Sequence, residues 1–253
     1  MAATPDIVLV PGAWQPSDCF GPLRALLKER GYETHAVDHP SVGAEPPTGT
    51  LEGDAASLRS VLSKLIEEEE KEVVLLLHSY GGVVGSCASE GLGLKQRRAA
   101  GKKGGIVVII YQAAFAIPKG KSLMDMLPGG EPLDWMRNED GRVFVDISPS
   151  VTLPELSPIE QQKWHARLTH TSAGVFIGKN TNEPWLEIPT AYFVCESDTV
   201  LLPPIQEAMA ASLGDVSIKR NPGAHSAFLS YTELNAQHIE EALREAREKL
   251  QSQ

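Results

Sequence analysis

Val73-Val74-Leu75-Leu76-Leu77-His78-Ser79-Tyr80-Gly81-Gly82 is the stretch on which the fold turns. Its first half is an unbroken aliphatic run, the pattern of a strand buried on both faces of a parallel sheet. Its second half sets one serine on a sharp turn, with glycines that let a helix start immediately behind it. This is the pattern of a nucleophile elbow, an arrangement that exposes a single hydroxyl. A serine between strand and helix can also be a simple N-cap, but His78 before it, glycines behind it and suitable partners downstream favour the nucleophile. Because a serine hydroxyl is a weak nucleophile at neutral pH, the reading requires a histidine base and an orienting carboxylate elsewhere.

Both partners follow in the order serine, acid, histidine. Thr190-Ala191-Tyr192-Phe193-Val194-Cys195 is an apolar, β-prone run after Pro189 that empties into Glu196-Ser197-Asp198. Asp198 is the expected acid, with Glu196 as its competitor. Val216-Ser217-Ile218-Lys219 alternates as a short strand, and the turn Asn221-Pro222-Gly223-Ala224-His225-Ser226 sets His225 before the last helix as the expected base. An oxyanion formed at a carbonyl needs two converging N–H donors. Tyr80, after the nucleophile, is expected to supply one. The early strand Asp6-Ile7-Val8-Leu9-Val10 runs into Pro11-Gly12-Ala13-Trp14, and the bend at Gly12 makes Ala13 the other.

At these residues the chain resembles the α/β-hydrolases, in the broad group that holds plant methyl-ester esterases, hydroxynitrile lyases and fungal relatives. The matching stretches run from Val8 to Trp14, His78 to Gly82, Leu168 to Ser172, Pro184 to Asp198 with Pro203 beyond, and Gly223 to Ser230, so the resemblance covers nearly the whole length. It implies an α/β-hydrolase fold, a mostly parallel sheet with helices on both faces and an inserted cap, carrying a Ser79-His225-Asp198 triad. Two positions depart from the family pattern: Leu77 replaces the first glycine of the elbow, and Pro11 replaces the usual histidine before Gly12. Gly12 and Ser226 stand where plant hydroxynitrile lyases carry a threonine and a lysine, which leans the resemblance towards the esterases.

A chain of 253 residues, 42% hydrophobic, suffices for one large α/β domain. Its net charge of −10 argues against nucleic acid, which demands clustered Lys and Arg. The amino terminus Met1-Ala2-Ala3-Thr4-Pro5-Asp6 shows no basic n-region, and no apolar run reaches the length of a membrane span. A soluble, cytoplasmic protein with a small-molecule partner and no membrane contact is expected; the sequence leaves the oligomeric state open. Cys19, Cys87 and Cys195 are odd in number and lack CxxC spacing, so they read as reduced, packed thiols.

Strands are expected at 6–10, 33–37, 73–77, 106–111, 190–195 and 215–219, and helices at 19–30, 51–70, 80–90, 203–212 and 231–250. The family's usual first hairpin is not expected. The basic segment Lys95, Arg97, Arg98, Lys102 and Lys103 reads as an exposed loop rather than a phosphate site. Between Pro118 and Pro189 the alternation fails, with no long β-run before Asp140-Gly141-Arg142-Val143-Phe144-Val145, so residues 118–188 read as the cap, and 1–117 with 189–253 as the core. Met124, Met126, Leu127, Trp135, Trp164, Phe176 and Trp185 in this segment, with Trp14 beside the oxyanion loop, make an apolar, aromatic-walled substrate pocket the expectation.

The remaining histidines have no HExxH or comparable spacing, so no metal is expected; His78 is read as packing or hydrogen-bonding beside the elbow. Gly120-Lys121-Ser122 lacks the first glycine of a phosphate loop, and Gly91-Leu92-Gly93 follows a helix and lacks a third, so no organic cofactor is implied. The expected activity is hydrolysis of a small, largely apolar ester or lactone through an acyl-enzyme, failing as acid protonates His225. Two alternatives stand beside it: a lyase, dehydratase or cyclase using His225 as base without an acyl-enzyme, and a slow-turnover receptor.

Overall fold

The computed structural model describes residues 4–252; Met1, Ala2 and Ala3, on which part of the amino-terminal reading rests, lie outside them. In chain order the elements of the first half are β1 (Asp6–Val10), α1 (Gly21–Glu29), β2 (Thr34–Ala36), α2 (Leu51–Ser63), β3 (Glu72–His78), α3 (Gly81–Ala88), α4 (Leu94–Ala99) and β4 (Gly105–Gln112). An irregular segment holds β5 (Met136–Glu139), β6 (Arg142–Val145), α5 (Pro149–Thr152), α6 (Pro158–His165), β7 (Thr171–Ser172) and α7 (Gly174–Ile177). The chain then returns through β8 (Thr190–Cys195), α8 (Pro203–Ser212), β9 (Val216–Asn221), α9 (Ala227–Ser230) and α10 (Thr232–Gln251).

Six strands form one sheet in the order β2-β1-β3-β4-β8-β9. Every neighbouring pair is parallel, so the sheet needs cover on both faces. Strand alternation divides the core accordingly. Val8, Val10, Val73, Leu75 and Leu77 face one way and pack with Leu51 and Leu58 of α2, Val83 and Val84 of α3 and Met209 of α8. Ile7, Leu9, Val74 and Leu76 face the other way, against Leu23 and Leu27 of α1 and Ile239, Ala242, Leu243 and Ala246 of α10. The connection from β1 leaves outward to β2, whereas β3 returns on β1's other side. The carboxyl ends of β1 and β3 therefore flank a topological switch point, where open α/β sheets bind ligands.

Between β4 and β8 a second, antiparallel sheet runs β5-β6-β7. Trp14 ties it to the core: its indole Nε1 donates to Val143 O at 2.7 Å and its backbone N–H to Thr171 Oγ1 at 2.7 Å. Among the described residues no helix is long and apolar enough to cross a membrane.

The strand positions agree with those expected to within about two residues at each end, while three local readings need correction. Residues 94–99 form α4 rather than loop, and Arg97 is buried, donating from Nε to Gly104 O and from Nη2 to Lys103 O at 3.0 Å each. Nothing in a run of basic residues distinguishes the one that serves loop carbonyls. Asp140 and Gly141 are the turn of a β5-β6 hairpin, not the start of a strand, with φ of 49° and 84°; positive φ at both central positions is what makes Asp-Gly favourable there. The helix expected to reach residue 70 widens after Ser63, where Glu69 N–H bonds back to Lys64 O at 3.0 Å.

Candidate active site

Ser79 stands between the end of β3 and the start of α3 with φ of 52°, a left-handed conformation unusual for serine. Its carbonyl accepts the N–H groups of Gly82 and Phe115 at 3.0 Å each, which hold the turn closed. Ser79 lines the cavities that open at this end of the sheet; strain of about 1–3 kcal/mol at such a residue persists only where its surroundings enforce it. Leu77 fits at the elbow because α3 carries Gly85 against its side chain.

Asp198 and His225 reach the site on loops that leave β8 and β9. The two loops are laced together: Glu196 N–H donates to Asn221 O at 2.8 Å and Ser197 N–H to Gly223 O at 3.2 Å. His225 Nδ1 lies 2.7 Å from Asp198 Oδ2. The carboxylate is acceptor-only, so Nδ1 carries the proton and Nε2 keeps a lone pair. Asp198 is 2% exposed, and its other contacts come from Gln206 Nε2 at 3.0 Å, Val200 N–H at 2.8 Å and Leu201 N–H at 3.0 Å. Glu196, the competing acid, instead turns outward to Arg220 at 3.5 Å. Ser79 Oγ and His225 line one cavity with no direct hydrogen bond between them. Such contacts commonly close only around substrate.

Ala13 and Tyr80 line the larger cavity together with Ser79, and the backbone N–H of neither donates to another group of the protein among the described residues. The next amide along, that of Trp14, is committed to Thr171. Each flanking segment is held from beneath. His39 Nε2–H donates to Pro11 O at 2.8 Å, and Tyr80 OH donates to Asp54 Oδ2 at 2.8 Å, while Ser41 Oγ donates to the same carboxylate at 2.6 Å. His78 lies behind the site, its Nδ1–H donating to Gln112 O at 3.2 Å and its ring centroid 4.6 Å from that of His225. Burial and then the neighbouring His225 hold His78 well below the ordinary histidine range, so it stays neutral.

Two cavities meet at Ser79. One has a volume of about 70 Å³ and is bordered by His78, His225, Ser226, Trp164 and Arg167. The other, about 250 Å³, is bordered by Tyr80, Phe115, Met126, Leu127, Phe176 and Leu201. Trp14 and Trp135 line both, their rings edge to face at 5.7 Å. Met124 lines neither. It shares a tight turn with Met126, and at about three residues per turn the two side chains point different ways. Trp185 is also outside, its ring against Tyr111 at 6.2 Å. Sequence reasoning missed Gln206 and the α8 side chains; the helix start at Pro203, close after Asp198, was the available signal. It also missed Glu155, whose Oε1 accepts the N–H of Ala224 at 2.6 Å beside His225.

A serine on a β3-α3 elbow, a histidine and acid from later loops and a free early-loop amide define a class, and the chain belongs to the alpha/beta hydrolase family, whose profile matches residues 7–237. It is 30% identical over 247 residues to the alpha/beta hydrolase nvfD of Aspergillus novofumigatus (strain IBT 16806), covering 96% of this chain and 98% of that one. A carbendazim hydrolyzing esterase of Nocardioides sp. (strain SG-4G) is 31% identical over 131 residues, 50% of this chain and 49% of its own. A pyrethroid hydrolase from Sphingobium faniae JZ-2 superposes with a TM-score of 0.74 at 25% identity, over 96% of this chain and 98% of that one. The expected fold class and family are therefore met.

Proposed function

We propose that the protein is a serine hydrolase of small, largely apolar carboxylic esters or lactones. His225 Nε2 takes the proton of Ser79 as its oxygen attacks the carbonyl carbon. The Ala13 and Tyr80 N–H groups hold the oxyanion, and Asp198 keeps the tautomer and steadies the imidazolium. The imidazolium returns the proton to the leaving oxygen, and water then attacks the acyl-enzyme with the same base. The mechanism needs neither metal nor organic cofactor.

One observation carries this reading: the 2.7 Å His225–Asp198 contact opens onto the cavity that holds Ser79, beside two unclaimed amides. Relatives named for hydrolysing carbendazim and pyrethroids agree with an apolar small-molecule substrate. Residues 118–188 act as the cap, since Met126, Trp135, Trp164 and Phe176 bring its side chains to the cavities. The three free cysteines suit a reducing compartment, and the cytoplasm is the proposed location.

The test is intact-mass analysis after a fluorophosphonate, with Ser79→Ala alongside in a short-chain ester assay. One adduct at Ser79, lost together with turnover in the variant, is expected. Near-normal turnover by Ser79→Ala would remove the acyl-enzyme.

A further inference from the structure

We infer that the acyl group is the larger half of the substrate, uncharged and extended towards an apolar mouth beside α8, while the alcohol is short. The inference rests on the acyl-enzyme reading above and adds its direction. When the tetrahedral intermediate collapses, the bond from carbonyl carbon to alkoxy oxygen breaks, and His225 Nε2 hands its proton to that oxygen. The alcohol must therefore lie on the histidine side. His225 and Ser226 border the smaller cavity and not the larger, so the smaller takes the alcohol and the larger the acyl group.

Size and charge separate the two sides. The alcohol side has about 70 Å³, and Asp18 and Arg167, which form an ion pair, stand at its border. The acyl side has about 250 Å³ and no charged side chain in its lining, so an ionised acyl group would lose its hydration there without a partner. It also reaches the surface. Leu202, immediately before α8, and Ile205, in its first turn, line it while remaining 49% and 40% exposed, among the few large apolar side chains of the described residues left in water. Apolar side chains shared between a cavity and solvent mark a mouth through which an acyl chain longer than the cavity can extend.

The experiment uses the full chain and two isomeric esters, methyl nonanoate and octyl acetate, which place the same atoms on opposite sides of the ester. The expected kcat/KM favours methyl nonanoate by at least about tenfold, which is about 1.4 kcal/mol of transition-state binding. Equal rates, or a preference for octyl acetate, overturn the assignment. The mouth is tested by the ratio of kcat/KM for methyl dodecanoate over methyl butanoate. Ile205→Trp is expected to lower it about tenfold, whereas Ile218→Trp, similarly exposed on the edge strand, leaves it unchanged. A ratio insensitive to Ile205→Trp removes the mouth. Fluorophosphonate labelling of Ser79 separates the failures: a labelled enzyme with reversed preference sinks only this inference, and an unlabelled, inactive one sinks the hydrolase reading with it.

Discussion

Leu77 and Gly85 are complementary: a Cβ on residue 85 would lie 2.5 Å from Leu77 Cδ1 and closer still to Cδ2. The glycine absent from the elbow has in effect moved across to the facing turn of α3. Gly85→Ala is expected to destabilise by about 1–3 kcal/mol through overpacking, more than the roughly 1 kcal/mol gained in helix propensity. Leu77→Ala costs about 2–5 kcal/mol through its cavity. The double variant should lose less than the sum, because the alanine methyl at 85 enters space that Leu77 vacates. Urea titration of all four proteins measures the coupling, and strict additivity would show that the two residues do not share that space.

Gly12 abuts the candidate nucleophile in the same way. A Cβ there would stand 2.9 Å from Ser79 Cβ and 3.4 Å from Oγ. Neither neighbour can swing aside, because Ser79 is fixed by two bonds to its carbonyl and Ala13, the proposed oxyanion donor, follows directly. Gly12→Ala is expected to lower kcat/KM by about 10² or more, the scale of losing one oxyanion donor. Ester turnover beside near-UV circular dichroism checks it; full activity in a well-folded variant would place the oxyanion loop elsewhere.

The groups that hold Asp198 allow orientation to be separated from chemistry. Gln206 donates to Asp198 from Nε2 at 3.0 Å and accepts Cys195 N–H on Oε1 at 2.9 Å, fully buried. Gln206→Leu takes a partner from the Asp198 carboxylate, the Cys195 N–H and the Leu201 carbonyl, which accepts from Nε2 at 2.6 Å, and is expected to cost about 1–3 kcal/mol of stability or more. Asp198→Asn keeps the shape but favours the wrong tautomer of His225, with a fall in kcat of roughly 10⁴. Thermal melts and steady-state kinetics on both variants should give opposite rankings. A larger kinetic loss in Gln206→Leu would point to a different acid.

What the sequence made legible was local. The β3 run, the turn at Ser79, the candidate acid Asp198 after β8 and the His225 turn after β9 are each written within about ten residues, because a parallel strand and the loop at its end are continuous in the chain. The segment between Pro118 and Pro189 was opaque for the opposite reason. Its second sheet is held through Trp14, more than a hundred positions away, and the pairing of β6 with β7 bridges residues that no short window holds together. Arg97 and Gln206 escaped notice because burying a polar side chain depends on carbonyls and carboxylates that arrive only with the tertiary fold. Met124 and Met126 look alike in sequence, and only the turn that carries them decides which one faces the cavity.

Two buried histidines should shape the acid limit of stability. His39 and His78 are both held below the ordinary histidine range, chiefly by burial, with His225 adding to the effect at His78 and Asp54 opposing it at His39. In the unfolded chain each titrates near ~6.5. Above that value both states are neutral and the stability is fully present. As pH falls below it, the unfolded chain binds protons that the folded one refuses, so stability drops until the depressed folded values are reached. These two groups contribute at most about 2.7 kcal/mol per pH unit to the slope, and His238, also lowered by burial, adds to it in the same direction. Urea melts between pH 7.5 and 5 measure it, and His39→Gln and His78→Asn should each flatten the slope by about one proton. A stability independent of pH across that window would mean that these rings are protonated in the fold, which Asp54 and the Pro11 carbonyl do not favour strongly enough at His39 to offset burial and which the neighbouring His225 ring opposes at His78.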